Sequence, residues 1–456
     1  MELLEYINRW NSQRLGSLFR EQKKKNTHFA RRNALKFTYG SIVDKPEYDM
    51  TPSLIDTYSK YTLVDEGDIV INCLNLNYDF VSQRVAIVKN SGIITSAYIS
   101  LRARNADINP LYYCYYFKAM DACKMFHGMG TGIRLTLSYN ELRNVPIPVP
   151  PRAEQDQIVR FLDWKVSEIN KLIGIRRKEI QEFNQLKNTV ITKTVTTGLK
   201  REELCGTDNS YYRMIPKGWR ITKTRRVLSQ PLTDGPHTTP QLYEEGIPFV
   251  SAEAVSCGNG KIDFNHIRGF ISQDFYEECC KKYVPKIDDI YMIKSGATTG
   301  RVSIVDTDRI FTIWSPLAVF RCNQEVMLPH FLFYALQALP YQQQVQDGWS
   351  YGTQQNIGMR VLEQLKLAYP DVTEQEKIAC YLDDKCDMLD KAIQLAESKV
   401  KALQELKSTI ISDVVTGKID VRNVTIPEYE HIDDIYDDNN ENSEETDVTE
   451  TNGEEA

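Results

Sequence analysis

Histidine, paired cysteine and long apolar runs are what this 456-residue sequence has little of. Six histidines serve the whole chain, and its ten cysteines (Cys73, Cys114, Cys123, Cys205, Cys257, Cys279, Cys280, Cys322, Cys380 and Cys386) form no Cys-x-x-Cys pair. That spacing argues against a zinc site or a disulfide framework, and buried reduced thiols are expected instead. No uncharged apolar stretch approaches the roughly 18 residues that span a bilayer, so no membrane partner is expected. The opening MELLEYINRWNSQRLGSLF lacks the features of a secretory signal, which points to the cytoplasm. Two catalytic signatures are also missing: the Asn/Asp-Pro-Pro-Tyr/Phe loop that holds a flipped base for amino methylation, and a Walker A phosphate loop. Gly128, Gly130 and Gly132 follow an expected helix rather than a strand, and SGATTGR (295–301) lacks the lysine and its hydroxyl neighbour. Both read as turns, and no metal or cofactor is expected on this chain.

Charge is unevenly placed. The net charge is −7, but residues 428–456 hold thirteen Asp and Glu and no Lys or Arg, so the remainder carries +6. The acidic stretch has few apolar residues, too few to offset the entropy of ordering it, and residues 421–456 are expected to be a disordered tail. The mildly basic remainder is compatible with a polyanionic partner.

The strongest positive signal is a repeat. PPRAEQDQIVRFLD (150–163) and PDVTEQEKIACYLD (370–383) share a prolyl lead-in, a Glu-Gln pair and apolar spacing, and residues 154–191 and 374–411 share twelve identities in thirty-eight at an offset of 220. Chance gives only about two or three. In the first copy apolar residues step through Ile158, Leu162, Val166, Ile169 and Ile173, and in the second through Ile378, Leu382, Cys386, Leu389 and Ile393. That stepping is a coiled-coil seam. Prolines precede both starts, while Gly198 and Gly417 follow both ends. Two such stripes are most simply buried against each other, and the chain order favours an antiparallel pair.

The segments before the helices also correspond. GDIVINCLNLNYDFVSQRVAIV (67–88) parallels DDIYMIKSGATTGRVSIV (288–305), and SAYISLRARNADINPLYYCYYF (96–117) parallels SPLAVFRCNQEVMLPHFLFYAL (315–336). Both read as short strands followed by a helix after Pro110 or Pro329. The expected fold is α+β: a β-rich head over 1–150, a long helix over 151–200, a second head over 201–370, a second helix over 371–420 and the tail over 421–456. The helices are expected to pair as an antiparallel coiled coil with pseudo-twofold symmetry. Such a bar holding two similar heads suits a long regular ligand, and duplex DNA is the obvious one.

Reading DNA takes Arg, Lys, Asn and Gln at base edges, with cations and hydroxyls on phosphates. In the first head the candidates are Lys23, Lys24, Lys25, Arg31, Arg32, Asn75, Asn77, Tyr78, Arg84 and Arg134. In the second they are His237, Thr238, Lys294, Thr298, Thr299, Arg301, Ser350, Tyr351, Gln354, Gln355 and Asn356. The residues alone leave three classes open: a DNA-recognition subunit without catalysis, a methyltransferase or nuclease with an unfamiliar motif, and a coiled-coil protein scaffold.

Further motifs are IPVPP (147–151), the Glu-Gln helix start, FNQLK (183–187) with LQELK (403–407), VTTG and VVTG at the helix ends, and IPKGW (215–219). Together with the repeat they resemble the specificity subunits of type I restriction-modification systems. The resemblance implies two target-recognition domains that read the halves of a bipartite, asymmetric DNA site, with the helices as spacers. It also implies two modification subunits that methylate adenine N6 and two ATP-dependent restriction subunits. S-adenosylmethionine, ATP and magnesium would then belong to those partners, and this chain would supply no catalytic residue.

Overall fold

The computed structural model describes residues 10–38, 40–46, 49–78, 83–130, 132, 135–200, 203–349 and 355–433. The described residues form two compact units, one from those up to 178 together with those from 397 onward and the other from those between 179 and 396. In chain order, β1 (Phe19–Glu21), β2 (Ile69–Ile71), β3 (Val85–Ile87), β4 (Ile99–Ala103) and α1 (Pro110–Ala122) precede the long helix α2 (Arg152–Thr197). Then β5 (Thr233–Asp234), β6 (Ile290–Ile293), β7 (Val302–Ile304), β8 (Leu317–Phe320) and α3 (Pro329–Gln337) precede the long helix α4 (Val372–Val415).

Each head is built on a four-stranded antiparallel sheet, ordered β1-β4-β2-β3 in the first and β5-β8-β6-β7 in the second. The central strands are apolar on both faces because both are covered. Ile69 and Ile71 point into the cluster that holds α1, while Val70 points the other way, to Leu35, Phe37 and Val64. In the second head Ile290 and Met292 join α3, and Tyr291 and Ile293 join Val250, Phe311 and Ile313. Period-two alternation thus survives as two distinct cores rather than as an apolar and a polar side.

Within the first unit, Ile158, Leu162 and Val166 of α2 share a core with Ile411, Val414 and Val415 of α4, and Lys407 Nζ donates to Asn170 Oδ1 at 3.1 Å. Gln157 Nε2, one helical stretch back, donates to the Val421 and Val424 carbonyls beyond the end of α4, so the two helices run antiparallel here. Within the second unit, Ile191 and Val195 pack with Ile378, Leu382 and Cys386, and Lys187 Nζ meets both carboxylate oxygens of Asp390 at 2.6 and 2.8 Å. The helices extend over 46 and 44 residues, about 65–70 Å at 1.5 Å per residue. Both end on a glycine in the left-handed region, Gly198 at φ 72° and Gly417 at φ 76°, which is why VTTG and VVTG recur.

The Glu-Gln pair opening each helix has a structural cause. Gln155 is fully buried; its Oε1 accepts from Asn109 N at 2.8 Å and its Nε2 donates to the Pro150 and Asp107 carbonyls. Gln375, also fully buried, accepts from Leu328 N at 2.8 Å and donates to the Pro370 and Val326 carbonyls. In both units one amide bolts the first turn of a long helix to the loop that starts the shorter helix of the head.

Part of the acidic stretch lies within the described residues. Residues 421–433 run along α2: Asn170 Nδ2 donates to the Ile432 carbonyl at 3.0 Å, Ile432 N donates to Ser167 Oγ, and Lys89 pairs with Asp433 at 2.6 Å. Composition alone assigns this whole segment to a disordered tail, whereas 421–433 contribute Val421 to the first core and backbone carbonyls to Gln157 and Asn170. Among the described residues no helix is long and apolar enough to cross a membrane.

Candidate nucleic-acid interface

In the second head the loop between β6 and β7 meets the segment leading to α4. Gly296 N donates to the Gln355 carbonyl at 2.9 Å, Ile357 N donates to the Lys294 carbonyl at 2.9 Å, and Ser295 forms an antiparallel bridge with Asn356. The loop is tight because Gly296 and Gly300 adopt φ of 107° and 95°, and Thr299 Oγ1 closes it by donating to the Gly296 carbonyl at 2.6 Å. Lys294, Thr298, Thr299 and Arg301 are therefore brought together with Gln355 and Asn356, two amide side chains that stand exposed. Arg301 anchors one end, its Nη1 donating to the Ser256 carbonyl at 3.2 Å. Ser350, Tyr351 and Gln354 lie outside the described residues.

Beside this loop sits a cluster that charge patterning does not reveal. The Asp234 carboxylate, at the end of edge strand β5, receives Lys282 Nζ on Oδ1 at 2.5 Å, and on Oδ2 both Lys294 Nζ and His237 Nε2 at 3.3 Å. Burial raises the pKa of Asp234, but the hydrogen bond from Lys282 and the charges of Lys282 and Lys294 outweigh it, so the group is held below the ordinary carboxylate range. His237 and its neighbour Thr238 are exposed. Lys282 lies in the run CCKK (279–282), where nothing in the sequence links it to Asp234, 48 residues away.

The first head repeats the loop arrangement with different side chains. Leu76 N donates to the Leu135 carbonyl at 3.1 Å and Leu137 N to the Cys73 carbonyl at 3.2 Å, so the loop after β2 meets the segment leading to α2. Arg84 points inward: Nη1 donates to the Asn72 and Leu74 carbonyls and Nη2 to the Asn75 carbonyl, shaping the loop that presents Asn75 and Asn77 to solvent. Asn75 takes φ 50°, a left-handed position asparagine tolerates. For Tyr78 only the backbone is described, in a short 3₁₀ turn, and Arg134 lies outside the described residues although its neighbour Leu135 holds the loop.

The other basic candidates of the first head form a separate group. Leu63 N donates to the Lys24 carbonyl at 2.8 Å, Lys25 bridges to Thr62, and Lys23 pairs with Glu21 at 2.9 Å. Partial burial lowers the pKa of the Lys25 ammonium. Arg31 is committed internally, to the Val64 carbonyl at 2.7 Å and to Asp65 at 2.5 Å, and its hydrogen bond is the main cause of the lowered pKa of Asp65. Arg32 is exposed, with its guanidinium 5.9 Å from the Phe29 ring.

A model of the type I restriction modification DNA specificity domain matches residues 8–182 and 240–405, one match for each half of the repeat. The specificity subunit of the type I restriction enzyme MjaVIII from Methanocaldococcus jannaschii is 23% identical over 372 residues, covering 80% of this chain and 84% of that one. The EcoBI specificity subunit from Escherichia coli is 22% identical over 291 residues, covering 62% and 60%. A solved chain from work titled as the structural basis of complex assembly and conformational transition of the type I R-M system superposes with a TM-score of 0.61 at 16% identity, covering 90% of this chain and 98% of that one. With heads, helix pairing and family match in agreement, this chain belongs to the type I restriction-modification DNA specificity family and is a non-catalytic DNA-recognition subunit.

Proposed function

We propose that the two heads read the two halves of a bipartite, asymmetric DNA site, each through the loop that joins its inner strands to the segment before its long helix. The observation that carries this reading is the recurrence of that junction with divergent side chains: Asn75 and Asn77 in the first head, Thr298, Thr299, Gln355 and Asn356 in the second. Amides pair bidentately with adenine and hydroxyls with either base edges or phosphates, so changing them on a constant frame changes the sequence read. The helix pair serves as spacer and as the docking platform for two adenine-N6 modification subunits, with two ATP-dependent restriction subunits joining the assembly. Double-stranded DNA is then this chain's own ligand. S-adenosylmethionine, ATP and magnesium are held by the partners, and the complex works in the cytoplasm.

The test is to co-express the chain with the products of its neighbouring genes and map adenine methylation by sequencing native DNA. A single split motif with a fixed gap is expected. Methylation of a contiguous motif, or of none, rejects the reading.

A further inference from the structure

The repeat separates frame from reader. Features present in both heads, such as the sheet order and the buried glutamines, hold the fold; a polar cluster present in only one head bears on what that head alone does. Among the described residues the Asp234 cluster is of the second kind. Asp234 pairs with Ala318 across the edge of its sheet. In the first head Glu21 pairs with Leu101, and carrying that register two residues further reaches Lys23, a charge of opposite sign.

We propose that Asp234 is a positioning residue for the half-site read by the second head, assembling Lys282, Lys294 and His237 into one site for a DNA phosphodiester. The carboxylate itself is withdrawn, its side chain 11% exposed, so it does not face the DNA. Its partners reach outward from three separate stretches of chain: Lys282 is 47% and His237 72% exposed, while Lys294 at 13% is the inner brace. Two lysines against one carboxylate leave a net positive edge before histidine is counted. Lys294 also carries the carbonyl that accepts Ile357 N, so the carboxylate that sets the phosphate-facing cations fixes the strand bearing Gln355 and Asn356 as well. Phosphate contacts set register and base contacts specify, and here one buried group couples them.

This rests on the proposal that the second head contacts DNA, and the experiment distinguishes the two. The full chain in complex with its methyltransferase partner is titrated against its mapped site, and against duplexes with one or the other half-site scrambled, over a series of salt concentrations. Asp234→Asn removes a negative charge near DNA; acting through charge alone it would tighten binding to all three duplexes. A positioning role has the opposite sign for the intact site: affinity falls roughly tenfold, towards that of the duplex scrambled in the second head's half-site, while non-specific binding holds or rises. Asp234→Glu should recover part of the loss. Lys282→Ala, at an exposed position that does not endanger folding, should weaken binding to the intact site and lower the salt slope by about one. Uniform tightening by Asp234→Asn, or unchanged affinity and salt slope in Lys282→Ala, overturns the proposal. No preference of the unaltered complex for either intact half-site overturns the reading beneath it.

Discussion

Arg102 grips Asp68 with two parallel hydrogen bonds, Nε to Oδ1 at 2.7 Å and Nη2 to Oδ2 at 2.6 Å, and Arg321 grips Asp289 with the same atoms at the same two distances. Both pairs tie the start of the second sheet strand to its neighbour, and both carboxylates are buried, 3% and 1% exposed. Each head therefore repeats this charged fastener, and in the first Arg102 Nη2 also meets Asp65 Oδ2 at 2.7 Å. The Asp289 carboxylate also accepts from Lys286 N at 2.9 Å and from the Tyr283 hydroxyl, whose pKa rises well above its ordinary value chiefly through burial.

Asp289→Asn leaves the Arg321 guanidinium without its counter-charge and is expected to cost about 3–5 kcal/mol. Asp68→Asn should cost less in the first unit, because Arg102 keeps Asp65 as a counter-charge at 2.7 Å. The check is urea unfolding followed by a probe in each unit, with the midpoint shift confined to the unit that carries the change. A shift under about 1 kcal/mol would show that the pair is no more than a surface ion pair.

The buried glutamines make a sharper case. Gln375→Ala strands Leu328 N and the Pro370 and Val326 carbonyls at once, and the expected cost is about 2–3 kcal/mol, the scale of leaving buried polar groups unpaired. Gln375→Glu keeps the acceptor but removes both donors and buries a charge, so it should be worse than alanine. The order of the two unfolding midpoints is the readout, and glutamate above alanine would contradict the latch.

These same residues show how far sequence reasoning reaches. The repeat exposes Gln155 and Gln375 as a recurring pair and places them at helix starts, but a polar letter in the first turn reads as solvent-facing; that it is buried depends on the loop at 107–109 or 326–328 closing over it. Lys187 and Lys407 recur for a comparable reason, bridging to the other long helix through Asp390 and Asn170. The two long helices follow local periodicity and were legible, whereas the order of strands in each sheet is set by pairing between distant segments and was not. The grouping of Asp234, Lys282 and Lys294 arises only in tertiary structure, and the inward turn of Arg31 and Arg84 is invisible because an arginine that organises carbonyls and one that faces DNA are the same letter.

Asn170 and Asp390 occupy equivalent positions, and the difference has a use. An aspartate at 170 would pair more strongly with Lys407 but could not donate to the Ile432 carbonyl. Asn170→Asp is therefore expected to release residues 428–433 while leaving α2 and α4 in place. Hydrogen exchange should show faster exchange at Ile432 N, and limited proteolysis should show earlier cleavage near residue 430. Unchanged protection would mean that Ser167 and Lys89 suffice to hold the segment.

Helix length offers the last test, on the proposal that α2 and α4 set the gap in the recognised site. Seven residues inserted after Ile180 and again after Val400 add one heptad to each helix and preserve the seam. Each helix lengthens by about 10 Å, which matches roughly three base pairs at 3.4 Å each. Methylation mapping of the doubly inserted chain should then return both half-sites unchanged with a gap longer by about three, because the reading loops are untouched. A single insertion shifts one helix against the other by a heptad and should mainly destabilise the pair. An unaltered gap in the double insertion would assign spacing to the partner subunits rather than to this chain.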